Sequence, residues 1–146
     1  MNQVPNSLKK MLWKGDIHAL TDTFKMILMQ SGFVFNKDNH HCYADISASE
    51  LPTAFGYTVG GQTLTGVSLV VNNTLDRAEL TWSPHQWDAV GGALVASGAI
   101  IFDDTTATGS GHDYTDAIAS YIDFGGTRTV LDGTPLRVEG LAEFTE

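Results

Sequence analysis

The densest set of side chains able to ligate a metal is His40-His41-Cys42 with Asp45 close behind, a run offering imidazole, thiolate and carboxylate donors. Adjacent histidines in an extended chain point to opposite faces, and the second ligand pair of a structural zinc site is missing from its expected distance. The run therefore reads as a polar loop, and no metal or other cofactor is expected. His18, His85 and His112 are too scattered in sequence to add to it. Asp103, Asp104 and Asp113 stand among small polar residues and offer oxygen ligands of the kind calcium takes. EF-hand spacing and a bidentate glutamate are both missing, so the stretch 103–113 reads as a solvated loop. Asp103, Asp104, Gly109, Gly111 and His112 are accordingly expected on an exposed, flexible tip suited to meeting solvent or a receptor.

Catalysis has little to stand on. There is no Gly-x-Ser-x-Gly elbow and no Gly-x-x-x-x-Gly-Lys phosphate loop, and Gly60-Gly61 and Gly91-Gly92 lack the strand–glycine–helix setting of a dinucleotide site. Asp123 and Asp132 are a carboxylate pair only on paper, with surface placement the default. Trp82, Trp87 and Tyr57 are the right residues for a sugar-binding platform, but in a small β domain they serve more often as core or subunit-interface anchors. The expectation is a protein that is not an enzyme.

The elements that would position these residues are mostly strands. Leu8, Met11 and Leu12 fall at helical spacing behind Ser7, a candidate N-cap, and ahead of Gly15, which predicts a short amphipathic helix over 7–14. In the strand predicted over 23–30, Phe24, Met26 and Leu28 share one face while Ile27 and Met29 make the other apolar, so both faces should be covered. Residues 31–50 are the least periodic, with a helical turn or two possible over 40–46. The stretch 50–66 holds four of the fifteen glycines and, on this reading, no residue built for acid, base or nucleophilic work. It is expected to be a structural hinge in which Gly56, Gly60, Gly61 and Gly66 hold conformations or close contacts that a β-carbon would disturb. A hairpin is predicted from 67–71 and 77–82. A long bent strand follows over 91–102, then a strand over 117–124 closed by Gly125-Gly126, and a last strand over 136–144. The sum is a mainly β protein, an antiparallel β-sandwich or barrel with a short N-terminal helix, in one domain spanning 1–146: helix 7–14, an N-terminal strand and irregular region over 15–55, and a β core over 56–146.

Composition narrows the partners. The 146 residues carry a net charge of −9 with only eight Lys plus Arg, which argues against nucleic acid and against anionic membrane surfaces. The single cysteine, Cys42, excludes an intramolecular disulfide framework. No run approaches the roughly 18 apolar residues of a membrane span, and the start lacks the apolar region of a signal peptide. The expected place of synthesis is a cytoplasm, with the protein retained there or built into something assembled there.

Six segments in order carry a resemblance: Thr21-Asp22-Thr23-Phe24-Lys25-Met26; Ala44-Asp45-Ile46 leading to Glu50-Leu51-Pro52-Thr53; Gly56 through Gly66; Leu80-Thr81-Trp82; Gly98-Ala99-Ile100-Ile101-Phe102; and Tyr121-Ile122-Asp123-Phe124-Gly125-Gly126. Together, from about residue 15 onward, they resemble a family of small virion structural proteins of tailed bacteriophages and prophages. His40-His41-Cys42 and the 105–113 loop depart from that pattern. The resemblance implies a non-enzymatic virion component, a capsid decoration (cement) protein or a tail-associated, receptor-binding module. A decoration protein would bind the major capsid protein as a homo-oligomer, a trimer being favoured, with Leu8, Met11, Leu12 and Trp13 or a free strand edge as its docking surface.

Overall fold

A computed structural model describes residues 2–105, 111–139 and 141–144. The chain is mainly antiparallel β, as expected, with two short helices: α1 (Asn6–Lys14) and α2 (Tyr43–Ile46), the latter running into a 3-10 turn at Ser47–Ser49. The strands are β1 (Asn2–Gln3), β2 (Phe24–Met29), β3 (Gln62–Thr63), β4 (Ser68–Asn72), β5 (Arg77–Thr81), β6 (His85–Asp88), β7 (Leu94–Asp103), β8 (Ala117–Val130), β9 (Pro135–Val138) and β10 (Leu141–Phe144). They form a five-stranded sheet of order β1-β8-β7-β2-β3, a three-stranded sheet β10-β5-β4, and a two-stranded ribbon β6-β9.

In this sandwich-like arrangement β2, between β7 and the edge strand β3, is apolar on both faces. Phe24, Met26 and Leu28 face the larger core, where Leu8 and Met11 from α1, Leu80 from β5, Trp87 from β6 and Leu136 and Val138 from β9 close over the sheet. Ile27 and Met29 face a smaller core with Phe35, Ile46, Ile100, Phe102, Ile118 and Tyr121. A strand that is covered twice needs unbroken apolar side chains, and the sequence Phe-Lys-Met-Ile-Leu-Met interrupts them only at Lys25.

Several expectations are corrected. Pro5, not Ser7, occupies the N-cap of α1; Ser7 lies inside the helix, its Oγ 3.1 Å from His41 Nδ1. Gly125-Gly126 do not end a strand, because β8 runs through to Val130. The glycines fall in an irregular segment where the β7–β8 register shifts between the pairs Ala96↔Arg128 and Gly98↔Asp123, so a bulge absorbs them. The predicted strand over 136–144 is two strands: β9 pairs with β6 and β10 with β5, so the chain changes sheets between them. Trp82, Trp87 and Tyr57 are all core residues and form no exposed platform.

In the glycine-rich stretch, Gly56, Gly60, Gly61 and Gly66 all have positive φ, at 90°, 96°, 64° and 63°. Gly61 shows why that matters: a β-carbon there would collide with the Met26 carbonyl on β2 and touch Ile27. At Gly60 the space is open and only backbone strain opposes a side chain. Gly61→Ala is therefore expected to lower unfolding free energy by roughly 2 kcal/mol or more, against about 1 kcal/mol for Gly60→Ala. Urea midpoints of the two variants measure this, and equal losses would show that the close approach to β2 carries no cost.

Candidate functional site

The polar groups raised by sequence are placed apart. His40 stacks on Phe33 with ring centroids 5.6 Å apart, and its Nδ1 accepts the Asn36 N–H at 3.1 Å. His41 stacks on Tyr114 at 5.0 Å. Cys42 caps α2, where the Asp45 carboxylate accepts the N–H groups of His41 (2.8 Å) and Cys42 (3.1 Å). Burial together with the Asp45 charge pushes the Cys42 thiol above its usual range, the reverse of what a metal ligand or nucleophile requires. Among the described residues no three His, Cys, Asp or Glu side chains gather to hold a metal ion. Asp123 accepts the Gly125 N–H and Asp132 the Gly91 N–H, each at 2.8 Å, so this pair serves two separate turns.

The 103–113 segment is only partly the exposed tip expected. Gly109 lies outside the described residues, and Gly111 and Asp104 are exposed. Asp103, however, is fully buried at the end of β7. Its Oδ1 accepts the Thr105 N–H at 2.8 Å. Burial, reinforced by a hydrogen bond and charge from Asp22, pushes its carboxyl up to about 7. His112 is half-buried, and Asp113 is clamped to α1 by Lys10 (2.9 Å) and Lys14 (3.0 Å). Asp16, buried, accepts the Asp113 N–H at 3.3 Å and pairs with Lys14 at the same distance. The return of this segment is thus tied down by charge.

One buried acid escaped the sequence reading, although it opens the glycine-rich stretch. The Glu50 carboxyl accepts the hydroxyls of Tyr43 (2.5 Å) and Tyr57 (2.6 Å) and the N–H of Gly60 (2.7 Å). Tyr57 Oη in turn accepts the Leu28 N–H at 3.1 Å, which fastens the group to β2. Desolvation and the bond to Glu50 push the Tyr43 hydroxyl up to about 12 and Tyr57 further still, so both remain protonated donors. The signal available in sequence was a lone acid heading an uncharged, tyrosine-bearing run.

The surface with the character of a binding site lies at α1. Leu8 and Met11, expected on a docking face, are buried in the core and cannot serve one, because the amphipathic face of the helix turns inward. Leu12 and Trp13 remain outside, 40% and 93% exposed. Below Leu12 is a cavity of about 160 Å³ between α1 and the β4–β5 hairpin, walled by Leu8, Ile17, Phe24, Leu69 and Leu80 with no polar lining. A space with this lining offers water no hydrogen-bond partner and suits an apolar side chain. Comparisons with family models, with curated proteins and with solved structures returned no match.

Two outcomes follow from the buried acids. The native pKa of Asp103 lies above the unfolded value, so its contribution favours the fold at low pH and is lost as pH rises from about 4 through 7. Asp103→Asn should stabilise the protein at pH 8 by on the order of 2 kcal/mol and make little difference at pH 4, as read from thermal or urea unfolding at both pH values. Tyr57→Phe should cost about 1–3 kcal/mol, because it strips Glu50 of a donor and leaves the Leu28 N–H buried without an acceptor. A loss below a few tenths of a kcal/mol would show the network to be dispensable.

Proposed function

We propose that the chain is a non-enzymatic virion structural protein, a capsid decoration (cement) protein that binds the major capsid protein on the assembled head of a tailed phage and stabilises it. The reading rests on the ordered segments that resemble such proteins. The observation that supports it is the exposed end of α1, where Trp13 stands almost wholly in solvent and its neighbour Leu12 lines an apolar cavity. An exposed tryptophan at the same helix end as an apolar cavity is the kind of surface that a protein partner covers. A ligand that binds only the assembled shell stabilises that shell by mass action, and many copies together make modest contacts sufficient. The buried polar groups Glu50, Asp103 and Asp16 are taken up by backbone, hydroxyl and ammonium partners that hold loops in place, which suits a scaffold.

The tail-associated, glycan-binding alternative loses its main support, because the three aromatics that would form its platform are buried.

Truncating the N-terminus would not test this, since Leu8 and Met11 belong to the core and β1 pairs with β8. Trp13→Asp is the cleaner variant, because it changes a side chain that packs on nothing within the fold. It should leave unfolding unchanged and lower occupancy on purified heads of the phage or prophage carrying the gene by tenfold or more, the order expected of an anchor residue. Undiminished occupancy by the variant, or none by the parent protein, would sink the proposal; cryo-electron microscopy of the particle reads both.

A further inference from the structure

The three-stranded sheet ends in a strand that natural proteins normally guard. β4 pairs with β5 along one side only, Ser68↔Thr81 through Asn72↔Arg77, and its other side is the edge of the sheet. The opposite edge strand, β10, lies against β1 and β8. Leu69, Val70 and Val71 are 46%, 47% and 70% exposed, so both faces of β4 show aliphatic side chains to solvent, and its outer edge pairs with no strand among the described residues. The usual guards of an edge are lysine, proline, a bulge or inward charge, and β4 has none of them.

Charge and register identify the occupant. In a protein of net charge −9, two copies repel each other over most of their surface, yet from Leu51 through Leu75 the chain carries no charged residue at all. The edge of β4 lies within that run and is a place where two acidic copies can touch without opposing carboxylates. The strand is also complementary to itself. Antiparallel pairing about Val70 sets Val70 opposite Val70 of the second copy, Leu69 opposite Val71, and Ser68 opposite Asn72. Apolar meets apolar on both faces and the polar ends meet each other.

We infer that the outer edge of β4 pairs with β4 of a second copy, antiparallel about Val70, joining two three-stranded sheets into one of six strands. The two-fold axis of such a pair stands perpendicular to the sheet. Leu69 and Val71, on the face shared with Leu80 and Ala78, then form a continuous apolar strip with their counterparts. Both copies of α1, and both Leu12–Trp13 surfaces, face the same way. A single protomer presents one anchor; the pair presents two to any partner below. The inference does not depend on what that partner is. A five-residue ladder with its flanking side chains buries an area at the small end of specific interfaces, about 1,000 Å² in total, so association in the micromolar range is expected.

The test uses the full chain across the range of about 1–300 µM by sedimentation equilibrium, where the expected result is a two-fold species of twice the 15.7 kDa protomer mass. Val70→Lys places two ammonium groups face to face across the axis and should give a monomer with unchanged circular dichroism. A second measurement fixes the register. With Cys42→Ser to remove the native thiol, Val70→Cys should cross-link to a covalent dimer under mild oxidation, since directly opposed residues of an antiparallel pair lie about 4.5–5.5 Å apart at Cα, within disulfide reach. Val34→Cys, on a more exposed valine in the segment between β2 and α2, should not. A monomer throughout the concentration range, a trimer, a Val70→Lys variant that still dimerises, or equal cross-linking from position 34 would each overturn the inference.

Discussion

The carboxyl of Glu50 is the point at which three otherwise separate segments meet. Removing a carboxyl group from water costs on the order of several kcal/mol unless hydrogen bonds replace its hydration. Here the replacements come from α2 through Tyr43, from the glycine-rich segment through Tyr57 and the Gly60 N–H, and at one remove from β2 through the Leu28 N–H on Tyr57. The main chain of Glu50 repeats the connection: it bridges to Met29, and its carbonyl accepts the Gln30 side-chain amide. Once the acid is buried, each donor must sit where it does, and the backbone between Glu50 and Gly61 must turn tightly enough to bring Gly60 back over the carboxyl. The positive φ angles of that segment are the geometric consequence. Gly61 then approaches the Met26 carbonyl more closely than any side-chain-bearing residue can.

Fixing the glycine-rich segment against β2 decides what lies on either side. β3 follows directly and pairs with β2 as the edge of the five-stranded sheet, and the chain then crosses to the second sheet as β4. The crossing is anchored where the Ser83 N–H donates to the Thr65 carbonyl, beside Gly66. The larger core forms between these two sheets with α1 as its lid, and the helix contributes Leu8 and Met11 to it. A nine-residue helix is too short to cover everything beneath it. Its last turn overhangs the hairpin, and the cavity under Leu12 and the exposure of Leu69 are what remains uncovered. The apolar surface of this protein is thus a result of how short α1 is relative to the sheet it caps.

What could be read from sequence was the part governed by local pattern. The two-faced apolar run of β2, the alternation Ala78–Leu80–Trp82 and the spacing of Leu8 and Met11 each report an element directly, because periodicity reflects which side is buried. The same spacing misled about function: Leu8 and Met11 look like a sticky face in isolation, and only the tertiary fold shows that they are spent on the core. Glu50 and Asp103 were illegible for a related reason. An acid is assigned to the surface by default, and its burial depends on donors such as Tyr57 and Gly60, or on a neighbour such as Asp22, whose convergence no local pattern encodes. The partition of 135–144 into β9 and β10 belongs to the same class, since strand pairing with β6 rather than β5 is decided at long range.

The distribution of charge joins these features into one physical picture. The cations are largely consumed locally: Lys10 and Lys14 by Asp113 and Asp16, Lys25 by Asp104, Arg77 by Glu79, and Arg137 by Glu139. The exposed ones among these pairs contribute little stability, but all of them neutralise positive side chains, leaving the excess of carboxylates to set the outer field. At physiological salt that field is damped within about 8 Å, so it governs approach and orientation rather than contact. Ground free of carboxylates is found in the uncharged run from Leu51 to Leu75, which includes Leu69, Val70 and Val71, with Leu12 across the cavity from Leu69. In the β4 pairing inferred above, the acidic surface and the apolar strip would act together: repulsion would disfavour encounters that oppose carboxylates, and the hydrophobic edge would stabilise a geometry that avoids them.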